Sequence, residues 1–282
     1  MFHRIRDVLA RRAGWIGVLL TLALALLATY GARTWRLSAL TGDLEAAQVR
    51  AVADVQSTIQ QDFRRRVRAL RQQAQHLAQR PAVVEGFQAH RAGASPEPLV
   101  DFAVQQPSAL RAAVEWYGLD RQLVAWNGFN MPLDDAPGID ALDAGTVRIV
   151  QDEGIRWAMA VWWPVRFEGT PIGAVRAMQL VRFRAPVQNQ FIEDYSLERQ
   201  WRLQTGYPVE VTWGASADTA HGTVLRAGHA VLGHVDVQPP SEAQLLQAER
   251  QWFANMAAVW ITGLLIWLFA VLWAGYRRLG AT

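Results

Sequence analysis

Chemistry in this chain must come from Arg, Trp, His, Ser and carboxylates, because its 282 residues include neither Cys nor Lys. Without Cys there is no disulfide, no thiolate nucleophile and no Cys-ligated metal or cluster. Without Lys, Walker-type phosphate binding and Schiff-base catalysis are excluded. Ser57, Ser95, Ser108, Ser196, Ser216 and Ser241 lack the G-x-S-x-G setting of a nucleophile elbow. No glycine-rich phosphate loop is present. Glu193 and Asp194 fall in a stretch of helical character and read as surface charge. His221, His229 and His234 gather late in the chain, but a metal site needs several converging ligands. His229 and His234 are five apart, on opposite faces of a regular strand. Asp134, Asp135, Asp140 and Asp143 form an acidic loop whose spacing matches no EF-hand, so it reads as solvated. We therefore expect no catalytic residue, no metal and no cofactor.

Tryptophan is the abundant special residue, thirteen in all. Trp116, Trp126, Trp157, Trp162 and Trp163 fall in segments with strand character, where successive side chains alternate faces. Trp157, Met159, Val161 and Trp163 would share one face. In one reading Trp126, Asn127, Trp157 and Trp163 line a pocket, with Arg176 as an anion clamp for a small carboxylate or aromatic ligand. In the other they are core, since large aromatics dominate core energetics, and Arg176 pairs with an acid at a sheet edge. A second group, Trp260, Trp267 and Trp273, lies in an apolar run near the C-terminus. It reads either as a surface for other membrane helices or ring-shaped cofactors, or as interfacial anchoring with Trp267 facing lipid.

These residues need elements to hold them. Val52, Val55, Ile59, Phe63, Val67, Leu70, Ala74 and Leu77 recur in steps of three or four, one face of a long helix. Its other face carries Arg64, Arg65, Arg68, Arg71, Gln72 and Gln75. The helix is expected over 33–80, ending before Pro81, with a kink at Gly42. Helices over 82–90 and 99–105 follow. Strands are expected at 113–118 and 123–128 (a hairpin), 146–151, 155–167, 171–182, 208–213, 223–226 and 229–237, with a helix at 188–204. The connections are too short for parallel crossovers, the 188–204 helix aside, so the sheet is read as antiparallel. Ser241 and Gln244 have capping-box spacing and would start a helix running to Arg278.

Two runs, 13–32 and 256–276, carry no charge. About 20 apolar residues at 1.5 Å rise span the ~30 Å hydrocarbon core, so both read as membrane spans. The alternative for the first, with its basic leader, is a cleaved signal peptide, against which its length beyond an apolar region of about 7–15 residues argues. Arg4, Arg6, Arg11 and Arg12 precede the first, and Arg277 and Arg278 follow the second, which predicts both termini in the cytoplasm and the middle exported. That middle is close to neutral, so no nucleic-acid partner is implied. The expected organisation is a cytoplasmic segment 1–12, a span 13–32, a long helix 33–80, a folded domain 81–240, a helix 241–255, a span 256–276 and a cytoplasmic end 277–282. In a bacterium this places the chain in the inner membrane with its domain in the periplasm. Expected partners are lipid, other membrane proteins or a second copy, and a small-molecule ligand.

The segments LRQQAQHLAQRPAVVEGF (70–87), VEWYGLDRQLVAWNG (114–128) and FEGTPIGAV (167–175) resemble the periplasmic Cache (PAS-like) sensor domains of bacterial receptors such as sensor histidine kinases. The first looks like the end of the long helix, the second like the first hairpin, and the third like the "G-x-x-I-G-x-V" turn. Asp120-Arg121-Gln122 departs from the hairpin pattern by lacking its usual glycine. The resemblance implies an α+β fold: two transmembrane helices flanking a domain with a long N-terminal helix and a mostly antiparallel, ligand-holding sheet. It implies a sensor or partner-binding role without catalysis. The chain ends six residues past Tyr276, without a kinase or cyclase segment. This leads us to expect output through a partner, or an accessory, scaffolding role in a larger membrane complex, photosynthetic or respiratory.

Overall fold

The computed structural model describes residues 2–107, 111–131, 144–152, 154–185, 194–214 and 222–279. The chain divides into two compact units, one formed by Ala53–Gln238 and the other by Met1–Val52 with Pro239–Thr282.

Helix α2 (Leu44–Ala78) enters the larger unit at Ala53. The three-and-four periodicity places Val55, Ile59, Phe63, Val67, Leu70, Ala74 and Leu77 on one stripe, and all seven are buried. Fully burying each larger one contributes about 1.5–3 kcal/mol. Helices α3 (Pro81–Arg91) and α4 (Glu97–Gln105) follow. They approach closely at Gly86, where an added Cβ would sit 2.6 Å from that of Leu99.

Next come strands β1 (Ala112–Tyr117), β2 (Leu123–Asn127), β3 (Val147–Asp152), β4 (Arg156–Phe167), β5 (Thr170–Phe183) and β6 (Tyr195–Ser196). They form one sheet in the order β2-β1-β5-β4-β3, with β6 also on β5. Helix α5 (Leu197–Thr205) leads to β7 (Val209–Trp213), β8 (Thr223–Ala227) and β9 (Ala230–Val237), a second sheet in the order β7-β9-β8. All pairings among the described residues are antiparallel. The β4–β5 hairpin turns on Glu168 (φ +49°) and Gly169 (φ +82°), two left-handed residues as a type I′ turn requires. Gly173 in β5 leaves room for the Phe87 ring, which a Cβ there would meet at 2.6 Å.

The helix expected over 188–204 starts instead at Leu197. Tyr195 and Ser196 pair with Phe183 and Arg182 of β5, and the Ser196 hydroxyl then caps α5 by accepting from the Arg199 N–H. Residues 188–193 lie outside the described ones.

In the other unit, α1 (Phe2–Gly42) packs against α6 (Glu242–Leu279). Arg36 pairs with Glu249 at 3.5 Å and lies 5.7 Å from the Trp252 ring. The expected kink is a break of one residue: α1 stops at Gly42 and α2 restarts after Asp43, whose Oδ1 accepts the Ala46 N–H at 3.3 Å. Ser241 and Gln244 form a capping box, the Gln244 side chain accepting from the Ser241 N–H and the Ser241 hydroxyl from the Gln244 N–H. From Glu242 to Trp273, α6 is long and apolar enough to cross a membrane, and among the described residues it is the one such segment. The uncharged 13–32 run is helical throughout, within α1.

Candidate ligand pocket beside a buried ion network

Strand β1 places Glu115 directly opposite Arg176 of β5, which in turn lies opposite Trp162 of β4. Cross-strand neighbours share a face, so the three side chains meet on one side of the sheet. Glu115 is 0% and Arg176 1% exposed. Charges so deep need partners on every side. The Arg176 Nε donates to the Glu115 carboxylate at 2.5 Å, and its Nη2 donates to the same group. Nη2 also donates to the Tyr117 hydroxyl at 3.0 Å and to the Met131 carbonyl at 2.5 Å. The guanidinium carbon lies 5.2 Å from the Trp162 ring centre and 5.3 Å from that of Tyr117. Glu115 additionally accepts from the Tyr117 hydroxyl at 2.8 Å and the Met131 N–H at 3.2 Å.

Burial pushes the Glu115 carboxyl above the usual carboxylate range, while the Arg176 charge and these hydrogen bonds pull it back. Burial and the Glu115 charge raise the Tyr117 phenol well above its ordinary value. The phenol therefore stays a hydrogen-bonding group, not a base. This network is structural chemistry: its charges are spent on each other.

Tyr117 and Met131 also form a wall of an open cavity of about 550 Å³. Arg121, Leu123, Asn130, Asp152 and Arg156 line the rest of it. Arg156 is fixed by an ion pair with Asp152 across the β3–β4 turn. Arg121 sits at the tip of the β1–β2 turn with φ +65°. The turn is closed by Gly118 N–H to the Gln122 carbonyl (2.9 Å), Arg121 N–H to the Gly118 carbonyl (3.0 Å) and Gln122 N–H to Asp120 Oδ1 (3.0 Å). A left-handed non-glycine residue costs energy, and such positions cluster at ligand clamps. The lining therefore offers the Arg121 guanidinium, the paired Arg156 and Asp152, the Asn130 amide and a phenol edge.

The residues expected to form a pocket do not come together. Trp126 is 57% exposed on the outer strand β2. Asn127 holds the end of α4, its Nδ2 donating to the carbonyls of Ala103 (2.8 Å) and Gln106 (3.1 Å). Trp157 lies under the Arg182 guanidinium at 5.5 Å. Trp163 packs with the cluster containing Phe87 and Val175. Trp157 and Trp163 are six residues apart, about 20 Å along a strand. Arg176 is aligned with Trp162, on the opposite face from Trp163, and Glu115 occupies it. Pairing with an acid was the other reading of Arg176, although the pair lies deep in the sheet and not at an edge. The cations that do face the cavity, Arg121 and Arg156, were missed. The missing hairpin glycine at Arg121 was their one visible signal.

In α6, Trp260 and Trp267 are half-buried and Trp273 is exposed, its ring stacked on Phe269 at 6.3 Å. His234 lies opposite Thr212 and Val224 in the second sheet, and His229 is in the β8–β9 turn. No group of three metal-ligating side chains converges among the described residues. His221, Asp134, Asp135, Asp140, Asp143 and Glu193 lie outside them. No protein-family model, curated protein or solved structure matches this chain.

Proposed function

We propose that the chain is a membrane-anchored input module whose domain stands on the non-cytoplasmic side, binds a small carboxylate or aromatic ligand, and has no catalytic activity of its own. The observation that carries this reading is the 550 Å³ cavity beside the rigid Glu115–Arg176 network, with Arg121 and Arg156 at its rim. A cavity beside a fixed polar network, with Arg121 exposed at its edge and Arg156 held next to it by Asp152, suits a small anion.

The chain connections support an input role. A single residue, Asp43, separates α1 from α2, and residues 238–241 alone separate β9 from α6. In this reading both α1 and α6 cross the membrane, and the domain is of the Cache, PAS-like kind. A ligand-driven shift of the strands then passes into the helices.

The test is a thermal-shift screen of the full chain in uncharged detergent against small carboxylates and aromatic acids. A saturable stabilisation that weakens at least tenfold in Arg121→Gln and Arg156→Gln supports the reading. No stabilisation by any member of the panel speaks against it. A protease-sensitive tag at 91–95 is expected to be cut in intact spheroplasts and protected in inverted vesicles.

The alternative is an accessory subunit that packs against a larger membrane complex. It is favoured by the aromatic side chains that α6 leaves exposed, Trp252, Phe269 and Trp273. Stoichiometric co-isolation from native membranes with such a complex would favour it over the ligand-binding module.

A further inference from the structure

A second site lies on other residues of the same unit. Arg64, Arg65, Arg68 and Arg71 of α2 line one side of a groove of about 720 Å³, and Arg226 with Gly228 at the β8–β9 turn line the other. A hollow of about 220 Å³ continues it, sharing Arg64 and Arg226. Steps of four and three put Arg64, Arg68 and Arg71 on one stripe of the helix, about 10 Å long at 1.5 Å per residue. Arg71 is held in place, its Nε donating to the Gly145 carbonyl at 2.8 Å, with Nη2 beside Gly228.

What marks the groove is its charge balance. Among the described residues, none of these five guanidiniums lies in an ion pair with a carboxylate. Arg66, on the same helix but facing elsewhere, is paired with Asp62 at 2.7 Å. Like charges at i,i+3 and i,i+4 destabilise a helix, so α2 carries a stripe of repulsion that its own fold does not relieve. An anion in the groove relieves it. Guanidinium forks match phosphate oxygens in bidentate pairs, and several of them along 10 Å favour several anionic groups over one.

We infer that this groove binds a ligand bearing two or more phosphate groups, independently of the cavity at Tyr117. Such a ligand is either a soluble polyphosphorylated molecule or a phospholipid headgroup that itself carries two or more phosphates. The test uses the full chain in uncharged detergent. Inorganic tripolyphosphate is titrated by calorimetry against sodium chloride of equal ionic strength, and short-chain cardiolipin, whose headgroup carries two phosphates, in a parallel arm.

Saturable binding is expected in at least one arm, and the arm with the higher affinity names the source. That binding should weaken at least tenfold in the Arg64→Gln/Arg68→Gln double variant and at least threefold in Arg226→Gln, which sits on a different element. The double variant Arg199→Gln/Arg202→Gln, removing the same charge from exposed positions on α5, should stay within twofold. Unliganded melting temperatures within a degree or two of the parent exclude misfolding as the cause. Absence of saturable binding in both arms overturns the inference. So does an equal loss in the α5 variant, because that would reduce the effect to net charge.

Discussion

Arg176 and the arginines of the α2 groove are the same chemical group in two opposite situations. Arg176 is sealed inside the sheet, and its donors go to Glu115, Tyr117 and the Met131 carbonyl. Arg64, Arg65, Arg68 and Arg226 stand at the surface of the same unit, and among the described residues none of them is ion-paired with a carboxylate, although the Arg65 charge reaches Asp62. The interior cation must be neutralised by the fold itself, because burial makes an unpaired charge prohibitive. The surface cations are solvated and their complement can be supplied from outside. A count of arginines therefore says little about function here; which of them the fold has already satisfied says much more.

The strongest way to break this contrast is Arg176→Met. It leaves Glu115 buried and short of donors, so unfolding stability in urea, followed by Trp fluorescence, should fall by about 3–5 kcal/mol. Adding Glu115→Leu should recover most of that, since removing both charges of a buried pair is often neutral. A double variant as unstable as the single would mean the pair is not what Arg176 is for.

Next comes Asp62→Asn. Asp62 accepts from Arg66 (2.7 Å) and from the Trp201 indole N–H (2.9 Å), joining α2 to α5. Losing charged hydrogen bonds of this kind should cost about 1.5–3 kcal/mol near neutral pH. Burial raises this carboxyl, but the bonds from Arg66 and Trp201 and the charges of Arg66 and Arg65 outweigh it and hold it below its ordinary value. Its contribution is therefore complete above the unfolded carboxyl value, about 3.9, and disappears as pH falls through the lower folded one. The gap between parent and Asp62→Asn should narrow in that acid range. Glu115, pushed the other way by burial, has the opposite sign: its ionisation costs stability as pH rises through its raised value.

Arg121→Gly sharpens the contrast at the cavity. Relief of the left-handed φ should stabilise the domain by about 1 kcal/mol, while ligand affinity falls because the guanidinium is gone. The smallest effect is in the groove. Arg64→Gln with Arg68→Gln should raise unliganded stability by about 0.3 kcal/mol by removing like-charge neighbours.

The fold was more legible than the site. Periodicity showed the buried stripe from Val55 to Leu77, and turn residues showed the β4–β5 hairpin, because both signals are local. The start of α5 was misjudged because Tyr195 and Ser196 pair with a strand twelve residues earlier, which no window of local sequence reveals. The site failed for a related reason. Side-chain type suggested that Trp157, Trp163 and Arg176 should converge, but registers across β1, β4 and β5 decide which faces meet. Arg176 and Glu115 are 61 residues apart and become neighbours only through that register.

The β4–β5 ribbon bears on how the molecule forms. Twelve residue pairs are zipped across a turn of two residues, so the chain closes almost no loop to begin it. Contacts of such low sequence separation form early, whereas β1 must reach β5 across some sixty positions. The ribbon is therefore the expected nucleus of folding, onto which β1 and then β2 condense. Gly169→Ala, which strains the turn at φ +82°, should slow refolding far more than it speeds unfolding.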